Sequence, residues 1–288
     1  MVTDDQVLGL DIGGSSSRAR LSAGGRTLAE ASGLGANAVE IAPRHIQARL
    51  TALIDELGSP RPTACCAGAA GAEVPAGKRR LERLLARLLP GCRVEVVHDA
   101  RLILAAAGLD IGIALIAGTG SVAYGRDERG AEARVGGWGW LLGDEGSGVW
   151  LVREAARELM LRRESNQRLG ALGDRMLAAT QSREILELTG KLHAMREPGR
   201  WAALAGAVFD AADTDEGAAR VLERAADALA VLVDRVRERL EVQGPVVLAG
   251  GLLLNQPRLE LLVKARVGDA VSLADPPVAG AVRIAERL

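Results

Sequence analysis

The fold is decided by a stretch near the start of the chain, Val7-Leu8-Gly9-Leu10-Asp11-Ile12-Gly13-Gly14-Ser15-Ser16-Ser17-Arg18. Its apolar residues predict a strand over 7–12, the small residues predict a turn over 13–17, and a second strand follows over 18–21. Asp11 therefore lies at a strand end, beside glycines that let backbone amides approach an anion such as phosphate. An ordinary hairpin with an Asp-led turn would show the same residues, so the stretch alone leaves both interpretations open.

Outward from this stretch, predicted strands alternate with predicted helices, which indicates an α/β protein. The further predicted strands are 26–31, 63–70, 94–97, 111–116, 122–126 and 246–248. The predicted helices are 43–57, 77–89, 100–107, 257–265 and 278–287, and helices dominate the segment 149–240.

A strand that runs into a small glycine turn occurs three times. The turns are Asp11-Ile12-Gly13-Gly14, Ala117-Gly118-Thr119-Gly120 and Ala249-Gly250-Gly251. The first two continue as hairpins and the third opens a helix. The recurrence predicts two related halves that enclose one phosphate-rich ligand. The second turn is followed by Ser121, so it offers amides and two hydroxyls.

Asp99 stands between the apolar strand 94–97 and the helix 100–107. Open α/β sheets display functional residues at that edge. A carboxylate there can accept the proton of an attacking hydroxyl and align it with a γ-phosphate. Asp is also a favoured helix N-cap, so a purely structural role stays open.

The segment 136–148 holds six glycines and two tryptophans and is predicted to be a structured loop. Asp144 in this loop can cap the next helix or contact sugar hydroxyls. Asn37, which follows Gly35-Ala36, can be a turn residue or can offer its amide to a sugar.

Composition and charge exclude several classes of protein. The chain has 288 residues, 48% of them hydrophobic, and a net charge of −1. These values allow two domains with sizeable cores, and they argue against nucleic-acid and membrane partners. Cys65, Cys66 and Cys92 lack metal-ligand spacing, so no structural zinc is expected. The acidic start has no signal-peptide pattern, and a cytoplasmic protein is expected.

Together these motifs resemble the actin, hexokinase and heat-shock ATPase superfamily. The first and second glycine turns resemble its two phosphate motifs, and Ala249-Gly250-Gly251 with Asn255 resembles its adenosine motif. The segment Gly136-Gly137-Trp138-Gly139-Trp140-Leu141-Leu142-Gly143-Asp144-Glu145-Gly146-Ser147 resembles the N-acetylglucosamine kinases of the BadF/BadG/BcrA/BcrD-type ATPase family. The loop 33–39 departs from the family's Asn-rich sugar loop.

The resemblance implies a two-domain actin-like ATPase (ribonuclease H-like) fold with an interdomain cleft. The implied domains are 1–110, joined by the helix 276–288, and 111–275. ATP and Mg²⁺ are the implied cofactors, Asp11 serves the metal through water, and Asp99 is the catalytic base at the sugar 6-hydroxyl. The residues implied to bind the nucleotide are Gly13, Gly14, Ser15, Ser16, Thr119, Gly120, Ser121, Gly250, Gly251 and Asn255. Those implied to bind the amino sugar are Asn37, Asp99, Gly136, Gly137 and Asp144.

Several alternatives stay open at this point. N-acetylglucosamine is the first expected substrate, and glucosamine and N-acetylmuramic acid are alternatives. A related class activates 2-hydroxyacyl-CoA dehydratases and holds an iron–sulfur cluster through cysteines, yet no cysteine follows the second phosphate motif here. A nucleotide-dependent filament protein is a further rival, and the resemblance also leaves a homodimer open.

Overall fold

The structure, a computed structural model, describes residues 5–14, 16–36, 42–69, 71–72 and 74–288. Its strands are β1 (Gln6–Ile12), β2 (Ser16–Ala23), β3 (Arg26–Leu34), β4 (Ala64–Ala69), β5 (Arg93–His98), β6 (Gly112–Ala117), β7 (Ser121–Arg126), β8 (Glu132–Gly136), β9 (Val246–Ala249) and β10 (Ala270–Ser272). Its helices are α1 (Pro43–Glu56), α2 (Pro75–Leu88), α3 (Asp99–Ala106), α4 (Gly148–Glu164), α5 (Gly170–Ala179), α6 (Ile185–Ala194), α7 (Pro198–Ala202), α8 (Gly206–Ala211), α9 (Glu216–Leu240), α10 (Gly251–Asn255), α11 (Pro257–Val267) and α12 (Pro277–Ala285). The predicted α/β class is confirmed.

The chain divides into two compact units, Met1–Asp110 with Leu273–Leu288, and Ile111–Ser272. The sheet of the first unit has the strand order β3-β2-β1-β4-β5. Its β1–β2 and β2–β3 pairs are antiparallel, and its β1–β4 and β4–β5 pairs are parallel. The central strand β1 therefore ends at the same edge as β4 and β5, and this edge carries the candidate residues of the unit.

The sheet of the second unit repeats this order as β8-β7-β6-β9-β10. Here too the first two hairpin pairs are antiparallel, and the β6–β9 and β9–β10 pairs are parallel. β6 is thus the counterpart of β1, and the turn after β6 is the counterpart of the turn after β1. The repeated order agrees with the two related halves that the glycine turns predict.

Side-chain alternation along β1 directs its residues into two separate cores, one on each face of the sheet. Leu8, Leu10 and Ile12 belong to the core that α1 and α2 cover. Val7 belongs to the opposite core, with residues of α3 and α12. Asp11 follows the alternation of Val7 and so lies on the α3 face.

Some predicted boundaries differ from the structure. β2 begins at Ser16, inside the predicted turn, because Ser17 pairs with Ile12 and is buried. Gly136 ends the strand β8 instead of opening a loop. β8 and β10 were not predicted, because strands of five and three residues are too short to show a reliable period of two.

The domain limits expected from the sequence, 1–110 with 276–288 and 111–275, stay a prediction. Among the helices of the described ranges, none combines the length and the apolar character that crossing a membrane requires.

Candidate functional site

Asp11 occupies the second-last position of β1, between Arg18 on β2 and Gly68 on β4. The side chain is half-buried, and Asp99 and Arg18 both act on it electrostatically. Burial, reinforced by the negative charge of Asp99, raises the pKa of Asp11 to about 6, although Arg18 opposes the shift. The structure therefore brings the two predicted carboxylates together within the first unit.

Asp99 is the first residue of α3, and its neighbour His98 is the N-cap. The amide of Ala100 donates to Oδ1 of Asp99 at 2.8 Å and to Nδ1 of His98 at 3.1 Å. Nδ1 of His98 also lies 2.9 Å from Oδ1 of Asp99. The Asp99 side chain remains 38% exposed, so the carboxylate is oriented by its neighbours and still open to solvent.

The first glycine turn is closed by a hydrogen bond from the amide of Gly13 to the carbonyl of Ser16, at 3.0 Å. A Cβ at Gly13 would come within 2.9 Å of that carbonyl oxygen, so the turn requires glycine there. Gly14 and Ser16 are exposed at the same turn. The predicted residues Ser15 and Asn37 lie outside the described residues.

The second glycine turn joins β6 to β7 and contains Thr119, Gly120 and Ser121. Its ends are held by the amide of Gly118, which donates to the carbonyl of Gly120 at 2.9 Å. The first amide of α4, that of Gly148, donates to the carbonyl of Gly118, also at 2.9 Å. The start of a 17-residue helix is therefore fixed against this turn.

The third glycine turn lies directly beside the second, because β9 is the parallel neighbour of β6. Gly250 has φ +89°, and a Cβ there would lie 2.3 Å from the carbonyl oxygen of Ala117. Only glycine fits this close approach. Gly251 opens α10, and Asn255 ends it. The predicted adenosine motif and the second phosphate motif are thus adjacent within the second unit.

The loop after β8 folds back onto the second turn. The amide of Gly137 donates to the carbonyl of Ser121 at 2.9 Å, and the hydroxyl of Ser121 donates to the carbonyl of Glu145 at 2.7 Å. Gly136 and Gly137 both have positive φ, at +78° and +68°. Nη2 of Arg134 donates to the carbonyl of Gly137 at 2.6 Å. The predicted sugar-loop residues therefore contact the predicted phosphate turn.

Asp144 is buried inside this loop, and only 9% of it is exposed. It accepts hydrogen bonds from the amides of Ser121 and Gly139. Burial raises the pKa of Asp144 above its ordinary value, while these two hydrogen bonds act in the opposite direction. Ser147, and not Asp144, caps α4, because its hydroxyl accepts from the amide of Trp150.

Comparison with known proteins identifies the family. The family model described as the BadF/BadG/BcrA/BcrD ATPase family matches residues 8–282. The chain belongs to this family. The match includes both glycine turns of the hairpins, Asp99, the loop with Asp144 and the adenosine-like turn.

Two relatives of this family member have curated names. The N-acetylmuramic acid/N-acetylglucosamine kinase of Clostridium acetobutylicum is 36% identical over 151 residues, 49% of this chain and 49% of that protein. The N-acetyl-D-glucosamine kinase of Dictyostelium discoideum is 25% identical over 212 residues, 70% of this chain and 66% of that protein. The chain thus spans about half of the first relative and just under two thirds of the second.

A solved structure shows the same fold over nearly the whole chain. The proposed N-acetylglucosamine kinase of Chromobacterium violaceum superposes with a TM-score of 0.74 at 25% identity, covering 96% of this chain and 98% of that one. The fold of this family member is that of the actin/hexokinase-like superfamily, as the motifs predict.

The sequence did not indicate two contacts of this family member. Arg18 faces Asp11 across the first hairpin, and the pairing could have been found by counting back from a turn centred on residues 13–16. The two hydrogen bonds of Asp144 to the turn and the loop gave no local signal, because Ser121 lies 23 residues earlier in the chain.

The cysteines of this family member carry no metal-binding or redox pattern. Cys65 and Cys66 are buried on opposite faces of β4, and the third thiol, Cys92, is partly buried. Burial raises the pKa of all three thiols, that of Cys66 to about 12 and that of Cys92 to about 11. Burial therefore favours the protonated form of each of these thiols.

Proposed function

We propose that this chain is an ATP-dependent kinase that transfers the γ-phosphoryl group to the 6-hydroxyl of an amino sugar. The observation that carries the proposal is the solvent-open carboxylate of Asp99 at the carboxyl end of β5, beside the carboxylate of Asp11. This pairing of a candidate base with a candidate metal residue suits phosphoryl transfer. The membership in an ATPase family supports ATP as the donor.

Asp99 acts as the general base in this proposal. Its carboxylate accepts the proton of the sugar hydroxyl, whose oxygen forms a bond to the γ-phosphorus as the bond to the β-phosphate oxygen breaks. The amide of Ala100 donates to one carboxylate oxygen and so orients the side chain. The exposure of the side chain leaves the carboxylate accessible to the hydroxyl.

Asp11 suits a magnesium ion. The pKa of this partly buried carboxylate is raised by burial and further by a second carboxylate, and a divalent cation there would relieve the charge repulsion between the two. Among the described residues, no group of three His, Cys, Asp or Glu side chains forms a metal site. Magnesium keeps much of its water, and one carboxylate with phosphate oxygens can hold it. The ion, when bound, offsets the negative charge on the transferred phosphoryl group.

The amino-sugar class is supported by the named relatives. Both curated relatives are named as N-acetylglucosamine kinases, so N-acetylglucosamine is the first proposed substrate. The relative with 36% identity is also named for N-acetylmuramic acid, and this observation favours that sugar as the second. The glycine turns of the second unit are the proposed ATP contacts.

A panel of sugars tests the proposal. ATP turnover is measured with N-acetylglucosamine, N-acetylmuramic acid, glucosamine, N-acetylmannosamine and glucose, and without sugar. The expected result is strong stimulation by an N-acetylated amino sugar and slow turnover without sugar. Equal turnover in all arms would contradict a kinase, and stimulation by glucose alone would contradict the amino-sugar class.

A further inference from the structure

The loop 137–147 and the second glycine turn, residues 118–121, form one bonded assembly within the second unit. Backbone hydrogen bonds link Gly137 to Ser121 and Gly148 to Gly118, both at 2.9 Å. The hydroxyl of Ser121 adds a bond to the carbonyl of Glu145 at 2.7 Å. Any movement of the turn must therefore move the loop.

Asp144 makes the central contact of this assembly. Its carboxylate accepts from the amide of Ser121 in the turn and from the amide of Gly139 in the loop. The carboxylate also lies against Gly120, where a Cβ would come within 2.6 Å of Oδ2. A single side chain thus satisfies donors of both segments and fills the space that Gly120 leaves.

The backbone at Asp144 is also unusual. Its φ is +58°, a left-handed conformation that costs a non-glycine residue free energy and that Asn, Asp and Gly tolerate best. The amide of Ser147 donates to the carbonyl of Asp144 at 3.1 Å and holds this conformation before α4. The conformation directs the carboxylate inward, to the turn.

We propose that Asp144 is a positioning residue that fixes the phosphate-binding turn by tying it to the glycine loop. The inference rests on the proposed function, since the turn 118–121 is taken to bind the nucleotide phosphates. It differs from the sugar contact that the family resemblance implies for Asp144. A residue that acts only on the sugar leaves nucleotide affinity unchanged when no sugar is present.

Calorimetric titration with ADP, without sugar, separates the two roles. The variants are D144N and D144G, which both tolerate the left-handed backbone, and E145Q, which removes a neighbouring exposed charge. We expect ADP affinity to fall about tenfold or more in D144G, because the amide of the buried Ser121 and that of the exposed Gly139 both lose their acceptor. The loss is smaller in D144N, which keeps one acceptor oxygen, and E145Q binds like the parent protein.

Unfolding midpoints confirm that each variant is folded at the titration temperature. Unchanged ADP affinity in D144N and D144G, with a raised KM for the sugar alone, would overturn the inference and leave the kinase proposal intact. Failure of the parent protein to bind ADP would instead overturn the proposed function.

Hydrogen exchange of the parent protein provides a second measurement that needs no variant. ADP alone is expected to slow exchange of the amides at Ser121 and Gly139 together, because the same carboxylate binds both. Protection confined to residues 118–121, with the loop amides unchanged, would contradict the coupling through Asp144.

Discussion

Asp11 and Asp99 show how two neighbouring carboxylates acquire different properties from their surroundings. Asp11 is half-buried within the sheet, and its pKa is raised to about 6 by burial and by Asp99. Asp99 begins a helix, and its side chain is 38% exposed. The half-buried carboxylate of Asp11 suits a bound cation, and the exposed carboxylate of Asp99 suits an incoming sugar hydroxyl.

Substitution of Asp99 tests the proposed base. D99N keeps the shape of the side chain but cannot accept the proton, so we expect kcat to fall by about 10²- to 10⁴-fold. The ADP affinity of D99N should stay within about twofold of the parent's, because Asp99 is not among the residues proposed to contact the nucleotide. The exposed Asp110 of the same unit offers a matched control, D110N, with unchanged kcat. Normal turnover in D99N would exclude Asp99 as the base.

Asp11 makes folding stability depend on pH. Its folded pKa of about 6 exceeds the ordinary 3.8, so protonation favours the folded state. Below about pH 4 the group is protonated in both the folded and the unfolded chain. As pH rises through 4 to 6 without Mg²⁺, the free energy of unfolding should fall by about 3 kcal/mol through this group.

The check is urea unfolding of the parent protein and D11N from pH 4 to pH 7. The variant lacks the titration, so the stability difference between the two proteins should change across this window. A difference that stays constant from pH 4 to pH 7 would show that Asp11 has an ordinary pKa.

At the scale of single residues, the sequence predicted the polar groups but not their contacts. Asp11 and Asp99 follow apolar strands and could be recognised from that position. The contacts of Asp144 could not, because they depend on a loop that folds back onto a turn more than 20 residues away.

At the scale of elements, α12 packs against both β1 and α3 through glycines. A Cβ at Gly280 would lie 2.0 Å from the carbonyl oxygen of Leu102 in α3, and one at Gly9 would lie 2.7 Å from the amide nitrogen of Val282. Both contacts are with backbone atoms, which cannot rotate away. These glycines set the distance at which the last helix packs on the sheet.

Substitution of Gly280 tests this close packing. G280A should lower the free energy of unfolding by about 1–3 kcal/mol or more, because the added methyl forces the helix off α3. The matched control is G190A in α6, where nothing lies within 4 Å, and alanine there should stabilise by about 0.5–1 kcal/mol. Equal changes in the free energy of unfolding for G280A and G190A, measured in urea, would contradict the close packing at Gly280.

The long helix α9 begins at a buried ion pair. Asp215 caps the helix through the amides of Gly217 and Ala218, and Nη2 of Arg162 donates to its Oδ1 at 2.7 Å. The hydrogen bond from Arg162 is the main cause that lowers the pKa of Asp215 well below its usual range. The contribution of the pair to stability is therefore present above about pH 4 and is lost as pH falls further.

Removal of this carboxylate should be costly. D215A leaves Arg162 buried without its main partner, and we expect a loss of about 3–5 kcal/mol in the free energy of unfolding at pH 7. D213A is the control, because Asp213 is 88% exposed and pairs only at the surface, where pairs contribute about 0–1 kcal/mol. Similar midpoints of denaturation for the two variants would show that the pair does not stabilise α9.

The elements were predictable where their patterns were long. The amphipathic α1, the apolar β5 and the final helix were predicted to within a few residues. β8 and β10 were missed because strands of five and three residues are too short to show a reliable period of two.

At the scale of the whole molecule, two units with the same strand order each carry a glycine turn after the central strand. The sequence indicated this duplication through its recurring turns, and the topology agrees with it. The sequence could not show which strands pair within each unit, because strand order is a property of the folded sheets.

In the proposed reaction, the γ-phosphoryl group of ATP moves to a sugar hydroxyl. Phosphorus and carbon NMR of the product formed from ATP and the most stimulating sugar of the panel test it most directly. We expect a sugar phosphate esterified at the 6-hydroxyl, formed in equal amount with ADP and nearly absent with D99N. Release of inorganic phosphate with the sugar unchanged would contradict it.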